Sequence, residues 1–569
     1  MWTKVKQFLL RNELLILILC LVTFLRIPSL MEPYWYGDEG IYLTLGNGVR
    51  HGLQLYRDIH DNKPPGIYLI AAVAGSEFGF KFILLVWNLV TLCVFWWIAH
   101  TLLDTKKRPK SFFLFGVEWY IPQYSTLAAL FIGLGQFLVE GNIANGEIFM
   151  LLPTLVGMAL LIPVWRGKQK QTIFRSLASG FFFSLAFLIK VPALFDAVAA
   201  GFFFFVLAKT YGDLGKKVWW QRPLLSLWKA STSVATWAFA AAFILPILMS
   251  VAYYAKVGAL QPYLNSALLQ NVGYLSSWAT GTHQASNVGQ SGLKNRALVL
   301  VATTLLFFTG SALFTSEALL LLVWFAFALF GALLSERPYP HYLIQILAPL
   351  SLLLFLSLKM IGQWWRSLHH HRHTARIQHL ISLITMIVSI GVLVISLVTI
   401  HFWTYFSINY YQNYWNFMTK KITKDQYLTS FDPILPEMYR IGAMIVQNTT
   451  PNDRIFIWGD EPTLYALTRR LPPGRYTAAY HIKDFNGYDE TLTALNKNKP
   501  KYVVIDKRAG EFPGLDTFLE NQYQVWYSAQ VFVLYRYTGV LTISPSETTQ
   551  PTAHPTTQQK PKATPRPHS

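Results

Sequence analysis

The chain has 569 residues, 53% of them hydrophobic and only 14% charged, where a soluble domain carries about a quarter charged residues. That composition excludes one large soluble core. The net charge of +19 does not indicate nucleic acid, because Lys and Arg sit in short segments between apolar runs rather than on one face of a soluble domain.

Apolar windows of about 20 residues, enough to cross a bilayer, recur through the first 400 positions. They predict spans at 13–30, 82–103, 112–139, 148–165, 174–189, 193–208, 230–256, 296–315, 317–335, 340–358 and 380–402. The first follows basic residues but precedes no small-x-small cleavage site, so it reads as an uncleaved span. A charged connector comes next, YGDEGIYLTLGNGVRHGLQLYRDIHDNKPPG (36–66). Within it Ile41, Leu45 and Val49 recur at four-residue steps, the pattern of an amphipathic helix over 40–51. The apolar piece 64–79 is short, and as a full span it would invert every later loop. It is read as an interfacial or shallow re-entrant helix.

Basic residues fall between alternate pairs of spans: Lys106, Lys107, Arg108 and Lys110; Arg166, Lys168, Lys170 and Arg175; Lys209 to Lys229; and Arg366, Arg372 and Arg376. With Lys4, Lys6 and Arg11 they mark one side as cytoplasmic. The expectation is a multi-pass protein of the plasma (inner) membrane. Its N-terminus is cytoplasmic, and the loops 31–81, 140–147, around Lys190, 257–295 and 335–340 lie outside. Cys20 and Cys93 lie in apolar runs and form no zinc or disulfide pattern. The HHHRH run at 369–373 reads as a polar loop, without the carboxylate or cysteine that a metal site would add.

The membrane domain is assigned residues 1–405. Residues 406–540 change in composition. Strands are expected at 453–459 and 501–506, and helices at 462–470 and 488–498, making a small extracytoplasmic α/β domain. Asp460 and Glu461 read as a loop and helix start. The Thr/Pro-rich tail 541–569 cannot bury a core and is expected to be disordered.

The outer loops hold acids and cations together, unlike the nearly purely basic cytoplasmic loops. Asp38 and Glu39 open the 40–51 helix, and taken alone they read first as its cap and first-turn acid and only second as site carboxylates. Glu147, in EGNIANGEIFMLLP (140–153), reads as a site acid or as a helix start capped by Asn145. Lys63, Lys190, Arg337, His341 and Tyr342 read as ligand contacts or as groups reaching lipid head groups. A carboxylate can take a proton from an acceptor, and fixed cations can stabilise a departing phosphate. A lipid-phosphate donor would explain a site at the membrane surface. A transporter or binding protein for lipid-linked sugars would use the same cations without needing a base.

The DE pair, YRDIHDNKPPG, ANGEIFMLLP, KVPALFD and RPYPHY, in that order, resemble bacterial membrane glycosyltransferases of family 39. These are related to dolichyl-phosphate-mannose protein O-mannosyltransferases and to lipid A aminoarabinose transferases. The resemblance runs to about residue 360, and RIFIWGD resembles the outer domain of some members. It implies a GT-C fold and an inverting transfer from a polyprenyl-phosphate-sugar donor to a hydroxyl or amine of a lipid, glycan or protein acceptor. By the family pattern, Asp38 with Glu39 is the acid of the first loop and Glu147 that of the second. Glu147 stands where the aminoarabinose transferases have Asp. Lys63 is the donor-phosphate lysine, with Lys190, Arg337, His341 and Tyr342 as further donor contacts. Oligosaccharyltransferases, which share the architecture, are marked by WWD. The Trp-Trp pairs here are followed by Ile98, Gln221 and Arg366. No cofactor is called for. A divalent ion between Asp38 and Glu147 is admitted, although the pair alone is a poor metal signature.

Overall fold

The computed structural model describes residues 12–104, 111–114, 117–120, 122–166, 171–208, 221–269, 287–335, 337–367, 373–402 and 408–539. Among them, eight helices are long and apolar enough to cross a membrane: Glu13–Met31, Glu77–Leu103, Gly146–Trp165, Thr172–Ile189, Val234–Lys256, Gly292–Thr309, Pro340–Trp364 and Ile377–Thr399. Three shorter apolar helices, Tyr124–Leu138, Ala193–Val206 and Ser316–Ala332, accompany them. Together they match the expected segments in order, as a polytopic helical membrane domain followed by a small sheet domain. The HHHRH run up to Arg372 and the 541–569 tail lie outside the described residues, as do the centres of the basic loops.

Two expected boundaries are corrected, the first at 112–139. The segment 112–139 is not helical from its start. Its first part forms a two-stranded antiparallel ribbon, β1 Ser111–Leu114 and β2 Val117–Tyr120, and the helix begins only at Tyr124. SFFLFGVEWYIPQ is rich in aromatic and β-branched residues that favour strands. Pro122 lacks the N–H needed to continue a helical ladder backwards.

The connector folds as two short helices. Gly37–Arg50 is largely buried. Gly66–Ala74 ends at Gly75, whose φ of +68° closes the helix left-handed, a conformation glycine takes at little cost. The next helix opens at once, with Ser76 accepting a hydrogen bond from the Gly79 N–H at 3.1 Å. The expected interfacial piece 64–79 is therefore broken, and the following span starts at Glu77 rather than 82.

The C-terminal domain holds a four-stranded sheet in the order β3-β4-β6-β5: Ile455–Trp458, Tyr502–Asp506, Phe532–Tyr537 and Tyr523–Ser528. The first pair is parallel and the others antiparallel. Period-two alternation sends Ile455 and Ile457 to one face, with Met438 and Ile441. Phe456 and Trp458 go to the other, with Phe512 and Phe518.

This domain sits directly on the connector. The Thr463–Thr468 helix packs on Gly37–Arg50 so closely that a Cβ on Gly40 would lie 2.6 Å from the Thr463 backbone nitrogen. The Tyr34 N–H donates to Tyr439 Oη at 2.8 Å, and the His60 N–H donates to the Arg475 carbonyl at 2.8 Å. Connector and C-terminal domain thus share one face of the bundle, termed here the loop face.

Candidate active site

Asp38 lies in the first turn of Gly37–Arg50, with its side chain 30% exposed. Lys63 Nζ approaches it to 3.6 Å, and the Tyr42 hydroxyl, one turn along, donates to it at 3.3 Å. Lys63 also lies 5.3 Å from the centre of the Tyr42 ring. The lysine backbone is fixed from both sides. Its N–H donates to Tyr68 Oη at 3.0 Å, and its carbonyl accepts from Tyr56 Oη at 2.8 Å.

Glu147, at the start of Gly146–Trp165, is buried and ion-paired with Lys190. Lys190 ends the Thr172–Ile189 helix and lies 5.3 Å from the centre of the Tyr342 ring. Gly146 permits this pairing, since a Cβ there would come 2.9 Å from Lys190 Cδ. A Cβ on Gly66 would lie 2.7 Å from the Leu188 carbonyl oxygen, so the turns carrying Lys63 and Lys190 abut. Burial first, then the charges of Asp38, Asp61 and Glu147, holds the Tyr42 phenol well above the usual tyrosine range.

The other expected residues divide. Glu39 faces the opposite way, into a buried cluster around Lys81. Lys81 Nζ lies 2.8 Å from Glu32 and from Glu39 and 3.6 Å from Glu77, and it donates to the Asn142 carbonyl at 2.9 Å. Glu39 also accepts from the Ala144 N–H at 2.5 Å. It joins the two loops that carry the candidate acids. Burial pushes its carboxyl upward, against the pull of Lys81. His341 is buried, with Nδ1 2.5 Å from Glu140, and Tyr36 Oη donates to the same carboxylate at 3.3 Å. Arg337 is half-buried on the turn before it, its N–H donating to Ser335 Oγ at 3.3 Å.

The sequence reading did not single out Glu140, the partner of His341, or Lys81 and Glu77 of the buried cluster. Glu140 carries φ +59°, a left-handed backbone uncommon outside glycine. It was visible inside EGNIANGEIFMLLP, and EFGFK shows the Glu77–Lys81 spacing of four. Among the described residues no three His, Cys, Asp or Glu side chains gather as a metal site. Asp38 and Glu147 each carry an ammonium partner, a donor set better suited to an anionic ligand than to a divalent cation.

An apolar cavity of about 680 Å³ is bounded by Leu53, Pro65, Gly66, Trp87, Ile189 and Pro246 among others. Pro65–Gly66 lies just past Lys63, and Ile189 immediately precedes Lys190. Trp87 and Pro246 each stand ten residues from the loop-face ends of their helices, Glu77 and Lys256. At 1.5 Å per residue the cavity descends about 15 Å. The arrangement can hold a molecule with an apolar chain and an anionic head, the chain among the helices and the head at the lysines.

Residues 436–538 match the family model described as the C-terminal domain of putative competence-induced protein Ccs4. No curated protein matches the chain. Among solved structures, the chain is similar to ArnT from Cupriavidus metallidurans bound to undecaprenyl phosphate, at 13% identity and TM-score 0.48, covering 92% of this chain and 97% of that one. It is also similar to the archaeal oligosaccharyltransferase AglB from Archaeoglobus fulgidus, in complex with an inhibitory peptide and a dolichol-phosphate, at 13% identity and TM-score 0.41, covering 95% and 75%.

Proposed function

We propose that the protein is a membrane glycosyltransferase of GT-C type that moves a sugar from a polyprenyl-phosphate donor to an acceptor hydroxyl or amine, with inversion. The observation that carries this reading is the apolar cavity walled by Pro65, Gly66 and Ile189, which follow Lys63 and precede Lys190 in the chain, with Asp38 and Glu147 ion-paired to those two lysines. The cavity offers a polyprenyl chain fixed apolar walls, whose packing contacts replace those it makes with lipid tails. The phosphate takes the ammonium groups that Asp38 and Glu147 hold in the free protein.

That exchange frees a base. Asp38 is the better placed acid, because Glu147 is only 3% exposed and a water-borne acceptor reaches Asp38 first. In the transfer step the acceptor oxygen or nitrogen attacks the anomeric carbon and its proton passes to Asp38. The bond from that carbon to the phosphate oxygen breaks, and the electron pair leaves with the phosphate, stabilised by Lys63 and Lys190. Before the donor binds, Glu147 holds Lys190 in place. By the charge rule the loop face is extracytoplasmic.

The test separates binding from chemistry. Asp38→Asn is expected to abolish transfer while binding of polyprenyl phosphate persists. Lys63→Ala is expected to weaken that binding. Full transfer by Asp38→Asn would remove Asp38 as the base.

A further inference from the structure

The phosphate-contact lysine has a third neighbour that is tied to the other domain. Asp61, 1% exposed, lies 3.5 Å from Lys63 Nζ and accepts from Tyr68 Oη at 2.8 Å. On its far side, His481 Nε2 of the C-terminal domain lies 3.6 Å from Asp61 Oδ1. His481 belongs to the helix Ala479–Asp484. That helix is pinned to the end of β3, where the Ala479 N–H donates to the Gly459 carbonyl at 3.0 Å and the Tyr480 N–H to Asp460 Oδ1 at 2.9 Å. A continuous path therefore runs from the C-terminal sheet through His481 and Asp61 to Lys63 and Asp38.

We infer that His481 is a positioning residue for the donor site, holding Lys63 through Asp61, so that the C-terminal domain sets the affinity of the membrane domain for an anionic lipid head. This rests on the reading of Lys63 as a phosphate contact. Burial would raise the Asp61 carboxyl, but Lys63 and then His481 more than reverse it, and the group stays ionised. His60, whose ring centre lies 5.2 Å from that of His481, is pushed down to about 3 by burial and by His481. It is neutral near pH 7 and does not compete for Asp61. When a phosphate draws Lys63 away from Asp38, Asp61 remains buried beside Lys63. His481 then fixes how far the ammonium can follow the ligand.

The experiment compares binding of polyprenyl phosphate with binding of the uncharged polyprenol by the purified full-length protein. Polyprenol reads the apolar cavity alone, and the ratio of affinities reads the lysines. His481→Leu is expected to cut the preference for the phosphate about tenfold, within the range of ordinary couplings between sites, with polyprenol affinity unchanged. Asp61→Asn should do the same, and His481→Gln, which keeps an N–H donor, should retain most of the preference. In a Lys63→Ala background His481→Leu should cost nothing more. An intact preference in His481→Leu, an equal loss for both lipids, or an undiminished extra loss in the Lys63→Ala background would overturn the inference. A preference undiminished by Lys63→Ala would instead sink the phosphate-contact reading first, so the two failures are distinguishable.

Discussion

Lys81→Met removes the centre of the buried cluster that ties the two acid-bearing loops together. Lys81 has no exposed surface, and its ammonium serves two carboxylates at 2.8 Å, a third at 3.6 Å and a carbonyl at 2.9 Å. Methionine keeps most of the apolar stem but leaves Glu32, Glu39 and Glu77 facing one another. Removing one partner of a buried pair costs about 3–5 kcal/mol. With several partners stranded the loss belongs at the upper end, about 4–5 kcal/mol, a large share of the roughly 5–15 kcal/mol that keeps a domain folded. Adding Glu39→Gln removes one of the stranded charges and should recover about 1–2 kcal/mol, as expected for coupled neighbours. The assay is thermal unfolding in detergent, with Arg440→Met as control. Arg440 and Asp425 form a pair more than half exposed, and its loss should leave the midpoint unchanged. A Lys81→Met protein as stable as the parent, or a double variant less stable than Lys81→Met alone, would refute the view that the cluster holds the loops.

Gly40→Ala should loosen the C-terminal domain, because the new Cβ meets the Thr463 backbone at 2.6 and 2.7 Å. A cost of about 1–3 kcal/mol should show as faster proteolysis around 463–468, and unchanged cleavage would contradict the docking. Glu461 is pushed up to about 7 by burial, against an ordinary 4.5. Between those values the unfolded chain binds fewer protons than the folded one, so stability falls as pH rises from about 4.5 to about 7. Glu461→Gln should flatten that stretch of the unfolding-midpoint profile, and an unchanged slope would assign it to another group. Glu140→Gln weakens the hold on His341 and Tyr36, and should lower turnover several-fold while leaving polyprenol binding as it was. Loss of both would point to collapse of the loop instead.

The spans were legible because about twenty apolar residues in a row have one common solution in lipid. The ribbon at 111–120 was missed because aromatic and β-branched residues look equally apolar in a hydropathy window. In the C-terminal domain, β3 and β4 announced themselves as short buried runs. By contrast β5 and β6, with burial mixed along YQVWYS and FVLYRY, carry no such signal. Asp38, Lys63, Glu147 and Lys190 could be picked out from sequence, but their partners could not. Pairing Lys63 with Asp38 joins residues 25 apart, Glu147 with Lys190 spans 43, and Asp61 with His481 spans 420. Glu39 shows the limit well, since adjacent helical residues diverge by about 100°. Sequence placed it with Asp38, while the fold turns it onto Lys81.

The most direct measurement uses purified protein in vesicles with a polyprenyl-phosphate sugar and an acceptor available in the same leaflet. The account predicts free polyprenyl phosphate in step with glycosylated acceptor, without movement of the donor between leaflets, and neither product from Asp38→Asn. Passage of the intact donor across the bilayer, with its sugar–phosphate bond unbroken and no acceptor modified, would contradict it.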